Sequence, residues 1–155
     1  MTDRAQVTVR RAHRAEAGEL SVVARAAKAS WGYPPAWLRE WEPQLTFTPE
    51  YVASMHVFVA EVDGGVAGVV ALGNGDDPEI EHLWVAPVHQ GRGIGRALLE
   101  RAMSVARERG WRALRIESDP QAEPFYTRFG ARRIGDVDAP VAGTARRLPL
   151  LTLEL

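Results

Sequence analysis

EHLWVAPVHQGRGIGRALLERA, residues 81–102, holds the pattern that decides the fold. The extended run EIEHLWV (79–85) leads into it and stops at Ala86-Pro87. A turn, Gln90-Gly91-Arg92-Gly93-Ile94-Gly95, follows. A helix is then expected over 93–109. Ile94, Ala97, Leu98, Ala102 and Val105 share its apolar face, and Gly110 ends it. Three glycines in five residues let the backbone turn tightly and present N–H groups that no Cβ obstructs. The first amides of a helix have no intrahelical partner, and the macrodipole is positive there. Strand, glycine turn and helix start together make an anion site matched to phosphates.

Neither common nucleotide signature fits. A Walker loop needs a lysine after the glycines, and none is present. A dinucleotide fingerprint needs GxGxxG, but Arg96 takes the third glycine's place in one frame and Leu98 in the other.

On the N-terminal side, VTVRRA (7–12) reads as a strand. Residues 15–29 read as a helix with Leu20, Val23, Ala24 and Ala27 on one stripe. Gly32, Pro34 and Pro35 break it, and a short helix spans Pro35 to Trp41. HVFVAEV (56–62) and VAGVVALG (66–73) are strands around a hairpin at Asp63-Gly64-Gly65. A turn at Gly75-Asp76-Asp77-Pro78 follows. On the C-terminal side come a strand (112–118), a short helix (Gln121–Phe129) and strands near 131–137 and 147–154. The order is β-α-α-β-β-β-α-β-α-β-β: an α/β fold with a mixed, mostly antiparallel sheet and helices on both faces.

Composition sets the outer bounds. A chain of 155 residues suits one domain, 1–155. A net charge of -1 argues against a nucleic-acid binder working by general attraction to phosphate. No apolar run can span a bilayer, and the N-terminus has no apolar signal region, so a cytoplasmic protein is expected. Without cysteine there is no disulfide, thiolate nucleophile or Cys-based metal site. The four histidines lack metal-ligand spacing, so no metal is expected. Residues 1–85 carry 7 basic and 12 acidic residues, and residues 86–155 carry 12 and 8, which leaves the C-terminal half able to host a polyanion.

The turn Gln90-x-x-Gly93-x-Gly95 resembles the pyrophosphate loop, Q/R-x-x-G-x-G/A, of the GNAT superfamily of N-acetyltransferases. LWV before it, Pro87, and RALLERA after it also resemble that family. So does DPQAEPFYTRFGA (119–131), with its Phe-Tyr-x-x-x-Gly ending. The resemblance extends over essentially the whole chain and implies acetyl-CoA as co-substrate.

It further implies that amides of Gly91, Arg92, Gly93, Ile94, Gly95 and Arg96, in the loop begun by Gln90, hold the diphosphate. Arg92 and Arg96 would add charge. In the family, strand 79–85 splays from strand 112–118, and the pantetheine arm pairs with backbone near Leu83 and Val85. The Val85 amide would donate to the thioester oxygen. Tyr126 matches the family's general acid. Glu79 matches a position used as base in some relatives, and Glu81, two residues on, shares its strand face. Either could take the amine's proton, directly or through water. Relatives often carry Asn where this chain has Ser118 or Asp119, so no pantetheine contact is carried over there.

The acceptor is less constrained. Trp31, Tyr33, Trp37 and Trp41, with Glu40 or Glu42, would lie over the acceptor end and suit a flat or cationic amine. A small-molecule primary amine is the first expectation. A protein N-terminus or lysine is the second, and a non-catalytic acetyl-CoA-binding module is the third. His82 is expected to alternate away from Glu81 and to pack. Pro149 suggests an irregular or edge final strand, and hence a homodimer contact.

Overall fold

The computed structural model describes residues 6–73 and 78–155. Most of the turn expected at Gly75–Pro78 lies outside the described residues. Among the described residues the order is β1 (Val7–Arg11), α1 (Ala17–Ala29), α2 (Pro35–Trp41), α3 (Pro49–Ser54), β2 (His56–Val62), β3 (Gly65–Leu72), β4 (Ile80–Val85), α4 (Ile94–Glu108), β5 (Ala113–Glu117), α5 (Glu123–Arg128), β6 (Arg132–Asp138) and β7 (Arg147–Glu154).

The fold is the expected mixture of helices and antiparallel strands, divided into two sheets. Strands pair β1-β2-β3-β4 in one and β5-β7-β6 in the other, all antiparallel. Among the described residues one parallel bridge, Glu79 beside Arg115, links the sheets. It is made by the Arg115 N–H donating to Pro78 O at 2.9 Å.

Alternation on β2 and β3 sorts side chains to two cores. Phe58, Ala60, Val70 and Leu72 meet α4, while Val57, Val59, Val69 and Ala71 meet α1 through Leu20, Val23 and Ala24. Helices therefore cover both faces. On α4 the buried face is Ile94, Leu98, Leu99, Ala102 and Ala106. It is rotated from the expected stripe, because Ala97 and Val105 are only partly buried.

Two other expectations change. Helix α3 went unread, although Thr48-Pro49-Glu50 carries its start: Thr48 Oγ1 accepts the Tyr51 N–H at 3.1 Å and Pro49 fills the first turn. The final strand is not an edge. β7 is the middle strand of its sheet, so Pro149 offers no free dimer edge. Proline is tolerated there because the one ladder bond it forgoes faces Ser118, just past the end of β5 at Glu117, and not the interior of a paired strand. Its carbonyl still accepts the Ser118 N–H at 2.9 Å.

Sheet and helix approach closely at Gly68 on β3. A Cβ there would lie 2.8 Å from Trp84 O and 2.9 Å from Leu98 Cδ1. Gly68→Ala should therefore cost about 1–3 kcal/mol, read as a lower urea midpoint with unchanged slope. A variant as stable as the parent would contradict this packing.

Candidate functional site

Among the described residues β4 (Ile80–Val85) pairs with β3 on one edge and with no strand on the other. The Ala86 N–H donates to Ala67 O at 2.8 Å, and Val85, Trp84 and Leu83 stand opposite Gly68, Val69 and Val70. Strand alternation therefore turns the N–H groups of Val85 and Leu83 the other way, toward β5. Past the Glu79–Arg115 bridge the strands part, and a cleft of about 830 Å³ extends from Leu83 to the start of α4. Leu83, Trp84 and Val85 line it from β4, and Ala27 and Trp31 from α1 and the turn after it. Ala122, Phe125 and Tyr126 close the far side.

The mouth of the cleft is the glycine turn. Gly91 (φ 78°) and Gly93 (φ 79°) occupy the left-handed region, which other residues enter only with strain. Helix α4 makes its first backbone bond from the Ala97 N–H to Gly93 O at 3.1 Å. Among the described residues, no backbone acceptor takes the amides of Gly91 through Arg96. Gly95 serves packing: a Cβ there would meet Phe125 Cε1 at 3.1 Å, so its absence lets α5 approach α4. Gln90 turns inward, its Nε2 donating to Val85 O at 3.4 Å.

Gln90, Gly91, Gly93, Ile94, Gly95, Arg96, Leu83, Val85 and Tyr126 all line this one cleft. Arg92 does not. It is exposed, and His89 and Arg128 line the cleft instead. Neither carried a local signal strong enough to single it out. Arg96 is shared with Glu100, one turn along the helix, at 2.9 Å.

Tyr126 is buried and lines the cleft beside Phe125. Burial raises its pKa above the ordinary phenol value.

Glu79 and Glu81 lie at the start of β4, outside the cleft lining. Glu79 is 3.7 Å from Arg115, and Glu81 accepts the Tyr51 hydroxyl at 2.6 Å. A β-bulge stands at Glu81: Leu72 pairs with Ile80 and the adjacent Ala71 with His82, leaving Glu81 as the extra residue. The bulge breaks the expected alternation of His82. Its ring packs among Phe47 (4.6 Å), Tyr51 (5.9 Å) and Trp84 (6.4 Å), on the Tyr51 side with Glu81. It is packed, as anticipated. The Trp84 Nε1–H donates to its Nδ1 at 2.9 Å, and burial pushes its pKa down to about 4.

The aromatic segment does something other than present open rings. Trp31, Tyr33, Trp41 and Trp84 surround the ammonium of Lys28, 4.2 Å from the Trp41 ring centroid. The Arg146 guanidinium lies 4.9 Å from the ring centroid of the same Trp41. Asp119 joins them, 2.8 Å from Lys28 Nζ and 3.2 Å from Arg146 Nη2, and it accepts the Tyr33 hydroxyl at 2.8 Å. The chain's own cations thus fill the box intended for an acceptor. Glu40 is likewise spent on the Ala142 N–H and Glu42 on Arg25. Asp119 also accepts the Gln121 N–H at 2.8 Å, fixing the approach to α5. It does not line the cleft.

Burial is the largest single influence on the Asp119 carboxyl and pushes its pKa up. Hydrogen bonds from Lys28, Gln121 and Tyr33, with the Lys28 charge, outweigh it and hold the value below the ordinary one. Such a group adds stability above the unfolded carboxylate range, and that stability is lost as pH falls through the folded value. Asp119→Ala leaves the buried Lys28 and the partly buried Arg146 unmatched and should cost about 3–5 kcal/mol at neutral pH. In urea unfolding followed across pH, the deficit should shrink below about pH 4. Parental stability at neutral pH would contradict this account of the cluster.

The model of the acetyltransferase (GNAT) family matches residues 23–131. Streptothricin acetyltransferase from Streptomyces lavendulae is 38% identical over 100 residues, covering 60% of this chain and 53% of that protein. L-amino acid N-acyltransferase MnaT from Escherichia coli is 37% identical over 84 residues, covering 49% of each. The chain thus spans about half the length of these curated relatives. In fold it is similar to PaiA N-acetyltransferase from Thermoplasma acidophilum in complex with coenzyme A. The TM-score is 0.74 at 16% identity, with 97% of this chain and 99% of that chain covered.

Proposed function

The chain belongs to the GNAT acetyltransferase family, and we propose that it moves the acetyl group of acetyl-CoA to a primary amine of a small molecule by direct attack in a ternary complex. The observation that carries the reading is the run of backbone amides from Gly91 to Arg96, open at the mouth of a cleft that also holds Tyr126. Residues 1–155 would act as one acetyltransferase domain.

In this reading the loop amides hold the diphosphate, aided by the positive end of α4. Arg96, and Arg128 in place of Arg92, supply charge. The N–H groups of Leu83 and Val85 bind the pantetheine arm as a sheet edge binds a strand. The Val85 amide then donates to the thioester oxygen, where charge develops in the transition state. Acetyl-CoA supplies an activated acyl group, and no cysteine exists to take it covalently.

Tyr126 protonates the departing thiolate. Its raised pKa keeps the hydroxyl protonated at working pH, as a proton donor requires. Glu81, with Glu79 beside it, takes the amine's proton, directly or through water. Small molecules are favoured as acceptors because the relatives are named for streptothricin and for amino acids.

Tyr126→Phe should lower turnover about 100-fold while coenzyme A affinity, measured by calorimetry, stays within about twofold. Collapse of affinity would make Tyr126 a packing residue instead. Gly93→Val places a β-branched residue at φ 79° and should weaken coenzyme A binding at least tenfold, by rough estimate. Unchanged affinity would remove the loop from the site. Saturable coenzyme A binding with no transfer to any amine, followed as free thiol, would leave a binding module and overturn the enzymatic reading.

A further inference from the structure

We propose that Tyr51 is a positioning residue for the acceptor half of the reaction, holding the Glu81 carboxylate through its hydroxyl at the bulge in β4. The inference rests on the reading of Glu81 as the group that receives the amine's proton.

Three observations carry it. The first is the contact. The Tyr51 hydroxyl donates to Glu81 Oε1 at 2.6 Å, a short bond of the kind expected when a carboxylate accepts from a neutral hydroxyl. The second is the backbone. Glu81 is the extra residue of a bulge, and bulges re-aim a side chain that plain alternation would fix. A surface glutamate has three soft side-chain torsions, so it needs a fixed partner to keep one geometry. The third is how Tyr51 itself is held. It lies on α3, whose start is set by Thr48 and Pro49. Its ring stands edge-on to Phe47 at 5.7 Å and perpendicular to His82 at 5.9 Å. Burial first, and then the bond to Glu81, raises its pKa, so the hydroxyl remains a donor.

The surrounding charges leave Tyr51 as the fixed partner. Glu79, on the same strand end, is engaged with Arg115 at 3.7 Å, and Arg115 also approaches Glu117 at 3.4 Å. His82, with its pKa lowered to about 4, stays neutral in the working range. The two carboxylates thus have different partners: a cation for Glu79 and a neutral donor for Glu81. A carboxylate bound by a neutral donor keeps its charge available to an incoming ammonium, whereas one paired to arginine does not. That difference separates two side chains that sequence alone leaves equivalent.

The test is a double-mutant cycle on the full chain, with acetyl-CoA and whichever amine gives turnover. Glu81→Gln should lower kcat, and Tyr51→Phe should lower it by about tenfold, within the range of such positioning effects. The KM for acetyl-CoA and the thermal midpoint should be unchanged in both. In the Glu81→Gln background, Tyr51→Phe should have no further effect on kcat. A Tyr51→Phe enzyme with parental kcat beside an impaired Glu81→Gln enzyme would overturn the role of Tyr51 and leave Glu81 standing. Full activity in Glu81→Gln would overturn both. An equal loss from Tyr51→Phe in either background would make Tyr51 a general structural residue and likewise overturn the proposal.

Discussion

Among the described residues two sheets meet at one bridge and then part, and the site is organised around that parting. β4 is committed to β3 and β5 to β7, so past Glu79 and Arg115 neither can satisfy the other. Leu83 and Val85 are left with amides turned toward a gap. Backbone N–H groups at a partly buried edge require a partner. The same strand then runs into a turn whose next six amides also lack backbone acceptors among the described residues. One continuous line of donors thus passes from the cleft floor to its mouth, suited to a ligand with amides along its length and phosphates at one end.

The walls are held by contacts distributed through the core. Gly68 lets α4 press on β3, and Gly95 lets Phe125 press on α4. Behind Trp31 and Trp84, Lys28, Arg146 and Asp119 tie α1 to the segment before α5 and to the approach to β7. Buried charge is costly unless paired, and here the pairing is supplemented by aromatic faces. The cluster fixes the relation between the cleft wall and the helix that carries Tyr126.

Much of this was legible in the sequence, and the misses have physical causes. The glycine loop could be read because left-handed backbone and bare amides demand particular residues at particular spacings. The element order is legible in the patterning and turn residues, and the family resemblance implies the splay of strand 79–85 from strand 112–118. The bulge at Glu81 was invisible, because it depends on a register shift between two strands rather than on either strand alone. Helix α3 is six residues long, too short for a period, although Thr48 and Pro49 marked its start. The aromatic run suits a ligand on sequence alone because nothing local shows that Lys28, Asp119 and Arg146 converge on it. Pro149 misled because its neighbour ends one residue early, a fact of tertiary length. Arg92 of the loop and Arg128 at the end of α5 cannot be ranked without knowing which side chain points inward.

The central claim concerns which atoms grip the donor, and amide chemical shifts report those atoms directly. Titration of the ¹⁵N-labelled chain with coenzyme A should move the resonances of Gly91 through Arg96 most, with Leu83 and Val85 following as the pantetheine arm pairs. Saturation with those resonances unmoved, and the largest changes elsewhere in the chain, would contradict the account.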